Sequence, residues 1–371
     1  MENRKLKVVV CGTTFGQFYC EALLRLKEQF EFVGILAKGS ERSRKCAEKY
    51  NVKLYGSVEE LNETIDIACV VVRAAVMGGS GSNIANKLLN KGIHVIQEQP
   101  VHYKEIETCV KVAKKNNVKY FVADLYKNLS SVKAFIKASK IILEKTKPIY
   151  IDAGVASQVS FPLIEILAET LNSIKPFQIK NVDRESGPFH ILTATIRDVP
   201  IIFQVHNEVN PHEPDNYMHY LHRITIGTNS GRICLEDIQG PVRWHNKMHF
   251  PLDADLGSCF SGEWPEALKI LCSLDLGNFK QNTLGEVFKT EWVEAIANDL
   301  FFVKEMLSEE PGKLNMYYAR LISNARIWHE FTEHLGFPKL IAPEESVNID
   351  IVGIKATINN TSLNNEEEDN G

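Results

Sequence analysis

The stretch VVVCGTTFGQFY, residues 8–19, decides how the rest of the chain is read. Val8 to Cys11 suit a buried strand; Gly12 and Gly16 then break it, and Phe18, Leu23, Leu24 and Leu26 recur at helical spacing from Gly16 to Gln29. A strand that turns through glycines into a helix leaves backbone amides free at the positive end of that helix, where a phosphate can sit. The fingerprint G-x-G-x-x-G is not met, because Thr13 or Thr14 stands where a second glycine is expected, so a plain strand-to-helix connection also fits. The neighbouring segments decide between the two.

Outward from this turn, short apolar runs alternate with helix-period segments. Phe30 to Leu36 reads as a second strand, Glu41 to Tyr50 as a helix, Val52 to Leu54 as a third strand, and SVEE, with Ser57 and Glu60 at capping-box spacing, as the start of a short helix. Ile65 to Val72, Ile93 to Gln97 and Val118 to Ala123 give three more strands, separated by helices near Asn83 to Asn90 and Tyr103 to Asn116. Strands that are apolar nearly throughout and joined by helices mean a parallel sheet covered on both faces, since each crossover lays its helix against a face. Six of them predict an α/β, doubly wound Rossmann domain over residues 1–125, with its ligand beyond the carboxyl ends of the strands.

Then the texture changes. Leu129 to Glu144 predicts one long helix, while Ile149 to Ala153, His190 to Ile196, Ile201 to Val209, His222 to Ile226 and Gly231 to Leu235 are β-rich and punctuated by Gly, Pro, Asn and Asp. Trp292 to Leu307 and Asn315 to His334 return to helical spacing. We expect an α+β second domain on a mainly antiparallel sheet over residues 126–345, and a polar, partly disordered tail over 346–371, ending NNTSLNNEEEDNG.

Composition excludes several classes. With 371 residues, 44% hydrophobic and 24% charged, the chain is ordinary globular material and long enough for two domains. Its 42 basic and 47 acidic residues, a net charge of −5, leave no basic stripe for nucleic acid. No apolar run reaches the roughly 18 residues of a membrane span, and the start lacks a signal-peptide core, so a soluble, cytoplasmic protein is expected. Eight scattered cysteines without a C-x-x-C pair read as small core hydrophobes in a reducing compartment.

The end of the second strand selects the cofactor. An NAD site usually places Asp or Glu there, on the ribose hydroxyls, whereas a 2′-phosphate asks for cations. GILAKGSERSRK, residues 34–45, offers Lys38, Ser40, Arg42, Ser43 and Arg44 against the single acid Glu41. Arg can clamp a phosphate with two parallel donors while Ser hydroxyls fill the remaining lone pairs. NADPH is therefore expected; a solvated basic helix start is the bland reading of the same residues.

Taken together, CGTTFGQFY (11–19), GILAKGSERSR (34–44), IACVVVRAAVMGGSG (67–81), GIHVIQEQPVH (92–102) and the segment opening PDNYMHYLHRITIG (214–227) resemble the thiazolinyl imine reductases of siderophore biosynthesis. That family is a branch of the Gfo/Idh/MocA oxidoreductases, and the resemblance spans residues 6–340. It implies an NADPH-dependent enzyme that reduces the C=N bond of a thiazoline ring to a thiazolidine while the intermediate is tethered to a carrier protein of a nonribosomal peptide synthetase. An open antiparallel sheet covering the nicotinamide, and a homodimer, are implied as well. So are cofactor contacts from Gly12, Thr13, Thr14, Phe15 and Gly16, from Lys38, Ser40, Arg42, Ser43 and Arg44, from Arg73, and from Glu98 and Gln99.

Imine reduction needs a hydride on carbon and a proton on nitrogen. Glu98-Gln99-Pro100 after the fifth strand and Tyr126 after the sixth lie at topologically suitable places, with His102 two residues beyond the proline. The wider family has Glu-Lys-Pro at the first place and the imine reductases tend to carry His there. Gln99 cannot titrate, so it is expected to orient. Tyr126, in VADLYKN, matches the tyrosine proposed as acid in the imine reductases, and a cation such as Lys127 or the nicotinamide would lower its pKa. His102 is the second candidate acid, or else a helix-start residue. Asn216 and His222 would line the substrate cleft or pack the sheet; Trp244, in QGPVRWH, would stack on the substrate or belong to the core. His219-x-x-His222 and His245-x-x-x-His249 are closely spaced, yet neither lies in helical texture or beside a Cys pair, so no metal is expected. Two other readings stay open: a Gfo/Idh/MocA-type dehydrogenase of a sugar or other small molecule, which would want a lysine in place of Gln99, and a non-catalytic NADP-binding protein.

Overall fold

The computed structural model describes residues 4–61, 64–249, 264, 266–342 and 347–368. Strands β1 (Leu6–Cys11), β2 (Phe30–Leu36), β3 (Lys53–Tyr55), β4 (Ile67–Val70), β5 (His94–Gln97) and β6 (Tyr120–Val122) form one sheet in the order β3-β2-β1-β4-β5-β6, with every neighbouring pair parallel. Helices α1 (Gly16–Arg25), α2 (Glu41–Tyr50), α3 (Gly81–Asn90) and α4 (Tyr103–Lys115) make crossovers. Val8, Val9 and Val10 are wholly buried whichever face they point to, which is why the strand reads as an unbroken apolar run. The strand order reverses about β1, so the ligand crevice opens beyond the carboxyl ends of β1 and β4. The helix expected at SVEE is only a single 3₁₀ turn, Val58–Glu60. Ser57 makes no capping bond and Glu60 instead accepts the Gly56 N–H at 2.7 Å, so the reciprocal capping pair never forms.

The second domain contains α5 (Ser130–Lys145), β7 (Pro148–Ala156), α6 (Ser160–Thr170), β8 (Phe177–Ser186), β9 (Phe189–Ile196), β10 (Val199–His206), β11 (Glu208–Val209), β12 (His222–Thr228), β13 (Gly231–Leu235), β14 (Val242–Asn246), β15 (Ser273–Asp275), α7 (Val293–Ser308), α8 (Pro311–Leu335) and β16 (Lys339–Leu340). Eight of these strands form an open sheet in the order β15-β14-β13-β12-β7-β10-β9-β8, antiparallel except for the parallel pair β7 and β10. Burial alternates along β7 and β10: Ile151, Ala153, Val155, Ile201, Phe203 and Val205 face the helices, while Tyr150, Asp152 and Ile202 face outward.

Helix α6 and strand β8 escaped the reading of periodicity for opposite reasons. α6 is apolar and buried on every side, so it has no polar stripe; β8, at the sheet edge, is rich in charged and polar residues. Within the 346–371 tail, Ile351–Glu368 is helix α9, with Ile351, Val352, Ile354 and Ile358 exposed. Of the seven cysteines among the described residues, all are free and only Cys272 is exposed. No helix among the described residues is long and apolar enough to cross a membrane.

Candidate active site

The phosphate turn follows β1. Gly12 has φ +98°, and a Cβ there would lie 2.4 Å from the Val71 carbonyl oxygen at the end of β4, so only glycine lets the turn pass between the strands. Gly16 begins α1 close against Val10, and Thr13 is buried with its carbonyl accepting from Gln17 Nε2 at 3.0 Å. No side chain caps α1; the Gln17 and Phe18 amides turn back to the Thr14 and Phe15 carbonyls at 3.4 and 3.0 Å, so the seat for an anion is the turn ahead of them, at the positive end of the helix. Thr14 is exposed at the turn. Phe15 instead faces an aromatic group, 5.0 Å from Phe18 and 5.8 Å from Trp292 between ring centroids.

Beyond β2 the basic segment starts α2. Ser40 caps this helix by accepting the Ser43 N–H, and Ser43 is fully buried with its hydroxyl donating to the Ser40 carbonyl at 2.7 Å. Ser43 therefore shapes the helix start rather than facing a phosphate, a correction to its expected role. Lys38, Ser40, Arg42 and Arg44 are exposed, and the three cations make no ion pair with any described residue. Arg42, with Gln17, Glu41, Lys45, Cys46 and Lys49, lines a cleft of about 410 Å³ between α1 and α2. Of the basic residues lining the cleft, Lys45 pairs with Glu41 and Lys49 with Glu21, which leaves Arg42 unpaired.

At the other end of the crevice, β5 delivers Gln97, Glu98 and Gln99. Gln97 is consumed by the fold: it donates to Ser82 at 3.0 Å and accepts from Tyr120 at 2.8 Å. Glu98 accepts the Tyr19 hydroxyl at 2.5 Å, a contact from α1 that no sequence motif signals. Burial pushes the Glu98 carboxyl up to about 8, and the nearby Asp299 and Asp124 carboxylates add to the rise, so it is largely protonated at neutral pH. Gln99 has a buried side-chain oxygen without a partner, an acceptor left for a bound group. His102 caps α4, its Nδ1 accepting the Lys104 N–H at 3.2 Å, and its ring lies 4.5 Å from Tyr103 and 4.6 Å from His329. Burial and His329 lower its pKa. It makes no contact with Tyr126.

Tyr126 opens a 3₁₀ turn, Tyr126–Asn128, just past β6. Its ring is buried edge-on against His222 at 4.8 Å, and its hydroxyl has no hydrogen-bond partner among the described residues. Contrary to expectation, Lys127 does not depress the tyrosine: its ammonium lies 3.6 Å from Asp124, and burial with the Glu98 carboxyl beyond raises the Tyr126 pKa. His222 is fully buried. Its Nε2 lies 2.8 Å from the Val159 carbonyl, and because a carbonyl only accepts, the proton sits there; Nδ1 is left unpaired. Burial holds His222 neutral by lowering its pKa. Asp237 anchors the start of β12 by accepting the His222 N–H at 3.0 Å.

The remaining expected residues lie apart from this group. Arg73 donates to Asp215 at 2.6 Å across the two domains, with both side chains more than half exposed. Asn216 is exposed in that same loop. Trp244, on β14, donates to Asn246 at 2.9 Å and its ring covers Gly231, which makes it a sheet-packing residue. His219 turns to His206 and Phe189, away from His222, and no three metal-ligating side chains converge among the described residues.

Two family models match along this architecture. Residues 6–124 match the oxidoreductase family with the NAD-binding Rossmann fold, and residues 146–245 match the C-terminal domain of Irp3-like thiazolinyl imine reductases. The chain belongs to the Gfo/Idh/MocA oxidoreductases. In this Gfo/Idh/MocA chain, Glu98 and Gln99 lie in the first match, His222 in the second, and Tyr126 between them. Solved structures of the same fold include an oxidoreductase from Thermotoga maritima, with 13% identity, covering 88% of this chain and 95% of its own at a TM-score of 0.61. A 3-ketoreductase from Actinomadura kijaniata, in complex with TDP-benzene and NADP, shares 11% identity over 91% of this chain and 100% of its own, with a TM-score of 0.62. UDP-N-acetylglucosamine 3-dehydrogenase from Acidithiobacillus ferrooxidans shares 12% over 90% and 100%, with a TM-score of 0.60. A search of curated proteins gives no match.

Proposed function

We propose that this oxidoreductase is an NADPH-dependent reductase of a thiazoline C=N bond, acting on a carrier-protein-tethered intermediate and producing a thiazolidine. The observation that carries the reading is the free Tyr126 hydroxyl held against neutral His222 beside the β5 and β6 ends, in a chain whose second domain matches the Irp3-like model. NADPH, when bound, supplies the hydride. The uncapped start of α1 and the Gly12 turn would hold its pyrophosphate, Lys38, Arg42 and Arg44 its 2′-phosphate, and the unpaired oxygen of Gln99 its nicotinamide end.

As hydride reaches the imine carbon, the nitrogen gains basicity far beyond that of a phenolate, so even a tyrosine with a raised pKa gives up its proton. The C=N π bond breaks, C–H and N–H bonds form, and the Tyr126 phenolate is left to recover a proton from solvent. His222, neutral and edge-on, packs the phenol ring without competing for that proton, while its free Nδ1 offers the substrate an acceptor. A sugar-dehydrogenase reading would ask for a titratable group where Gln99 stands. The test is single turnover with NADPH deuterated at the hydride position and a thiazolinyl thioester. Deuterium at the former imine carbon supports the reading; turnover of keto sugars alone would replace it.

A further inference from the structure

The turn carrying Tyr126 has a few bonds of its own, and the Lys127 N–H donates to Asp124 Oδ1 at 3.2 Å. Inside it, Asn128 N–H reaches the Leu125 carbonyl at 3.1 Å and Leu129 N–H the Tyr126 carbonyl at 3.2 Å. Its firm anchors come from α7, where Asp299 is 5% exposed. One carboxylate oxygen of Asp299 accepts the Asp124 N–H at 2.8 Å, and the other accepts the Asn128 side-chain amide at 2.6 Å. The Asn128 amide also donates to the Asp124 carbonyl at 3.1 Å, closing a ring. A single carboxylate thus ties together the entry and exit of the five residues that present Tyr126. Burying a carboxylate is costly unless its oxygens are engaged, so a helix that needed only packing here would do better with an apolar residue.

The same helix reaches the cofactor turn. Its wide lead-in turn, Val287–Trp292, places the Trp292 ring 5.8 Å from Phe15 and 5.5 Å from Phe18 at the start of α1. Arg25, at the far end of α1, donates to the Lys289 and Thr290 carbonyls at 2.7 and 3.3 Å. One rigid element therefore braces both the phosphate turn and the turn that carries the acid.

We propose that Asp299 is a positioning residue for the reduction, fixing the Tyr126 hydroxyl against the nicotinamide end of the site, and that α7 ties this setting to the cofactor turn. The proposal rests on the reductase reading, in which Tyr126 is the acid. It is tested with Asp299→Asn, Asn128→Ala, Tyr126→Phe and the double variant Tyr126→Phe/Asp299→Asn. The Asn side chain retains size but has one acceptor oxygen where two are used. Asp299→Asn should lower kcat about 10- to 100-fold, since a displacement of about an ångström is worth that much, with the NADPH dissociation constant within about threefold of the parent. Asn128→Ala should lose less, in the same direction. Because Asp299 acts through Tyr126, the double variant should be no slower than Tyr126→Phe alone.

Additive losses in the double variant, an unchanged kcat in Asp299→Asn, or parallel collapse of kcat, NADPH binding and melting temperature would overturn the proposal. Amide hydrogen exchange supplies a readout independent of turnover: Asp299→Asn should speed exchange over residues 124–128 while β5 and the rest of α7 keep parent protection. Unchanged exchange there also overturns it. If the parent binds NADPH yet reduces no thiazoline, the reductase reading fails, and the exchange result alone still decides whether Asp299 holds the turn.

Discussion

Replacing both Arg42 and Arg44 with Glu should convert the adenosine end of the site from favouring to rejecting a 2′-phosphate. Both guanidinium groups are exposed at the start of α2, neither is paired with a described acid, and Arg42 lines the cleft beside α1. A charge-assisted contact to phosphate is worth about 1.5–3 kcal/mol, which solvent exposure reduces to about 1–2 kcal/mol here. Losing two therefore costs about 2–4 kcal/mol, or roughly 30- to 1,000-fold in the NADPH dissociation constant. NADH has no 2′-phosphate, so its constant should move by less than about threefold, apart from a small gain as the new carboxylates meet the ribose hydroxyls. Titrating the fluorescence of each reduced nucleotide against parent and variant measures both constants. In the parent the NADPH preference should also shrink with added salt, because these charges are screened at the surface. Equal weakening of NADPH and NADH, or a parent that prefers NADH, would refute the assignment of this segment to the 2′-phosphate.

Gly12→Ala should lower the melting temperature and weaken both nucleotides together, since φ +98° and the 2.4 Å approach to Val71 force the turn to move, at a cost of about 2–4 kcal/mol. Unchanged nucleotide binding would show that this turn is not the phosphate seat. Stability should fall as pH rises from about 5 to 8. Glu98 is raised to about 8 and Glu165 to about 7, so the folded chain holds protons that the unfolded chain, titrating near 4, has released. Each group contributes a loss of up to roughly 1.4 kcal/mol per pH unit until its folded pKa is passed. Thermal melts of the parent and Glu98→Gln should differ in slope across that window, the variant being flatter; identical slopes would contradict the buried protonated carboxyl. His102→Ala should cost about 1 kcal/mol in stability through loss of the α4 cap, with kcat within a few fold of the parent. A drop beyond 100-fold would return His102 to the chemistry.

What the chain spelled out locally survived into three dimensions. The β1 turn, the basic start of α2, the polar end of β5 and Tyr126 each sit on a continuous segment whose composition announces a strand end or a helix start. Their partners do not. Tyr19 finds Glu98, and Asp299 finds Asp124 and Asn128, through contacts between residues 79, 175 and 171 positions apart. A lone Tyr on α1 or Asp within an amphipathic helix carries no local sign of such a partner. The histidines show the reverse limit: His219 and His222 share a metal-like spacing, but His219 meets His206 while His222 meets Val159 and Tyr126. The direction of the Tyr126 shift was equally hidden, because it comes from burial of the ring and then from the Glu98 carboxyl, both set by tertiary packing.

The most direct measurement is NADPH oxidation by the parent and by Tyr126→Phe with a carrier-bound thiazoline, under conditions where both bind NADPH equally. The parent should form one thiazolidine per NADPH consumed, and the variant should lose at least about 100-fold in kcat, as expected for removal of a general acid. A Tyr126→Phe variant with parent activity, or a parent that binds NADPH and turns over no thiazoline, would contradict the account.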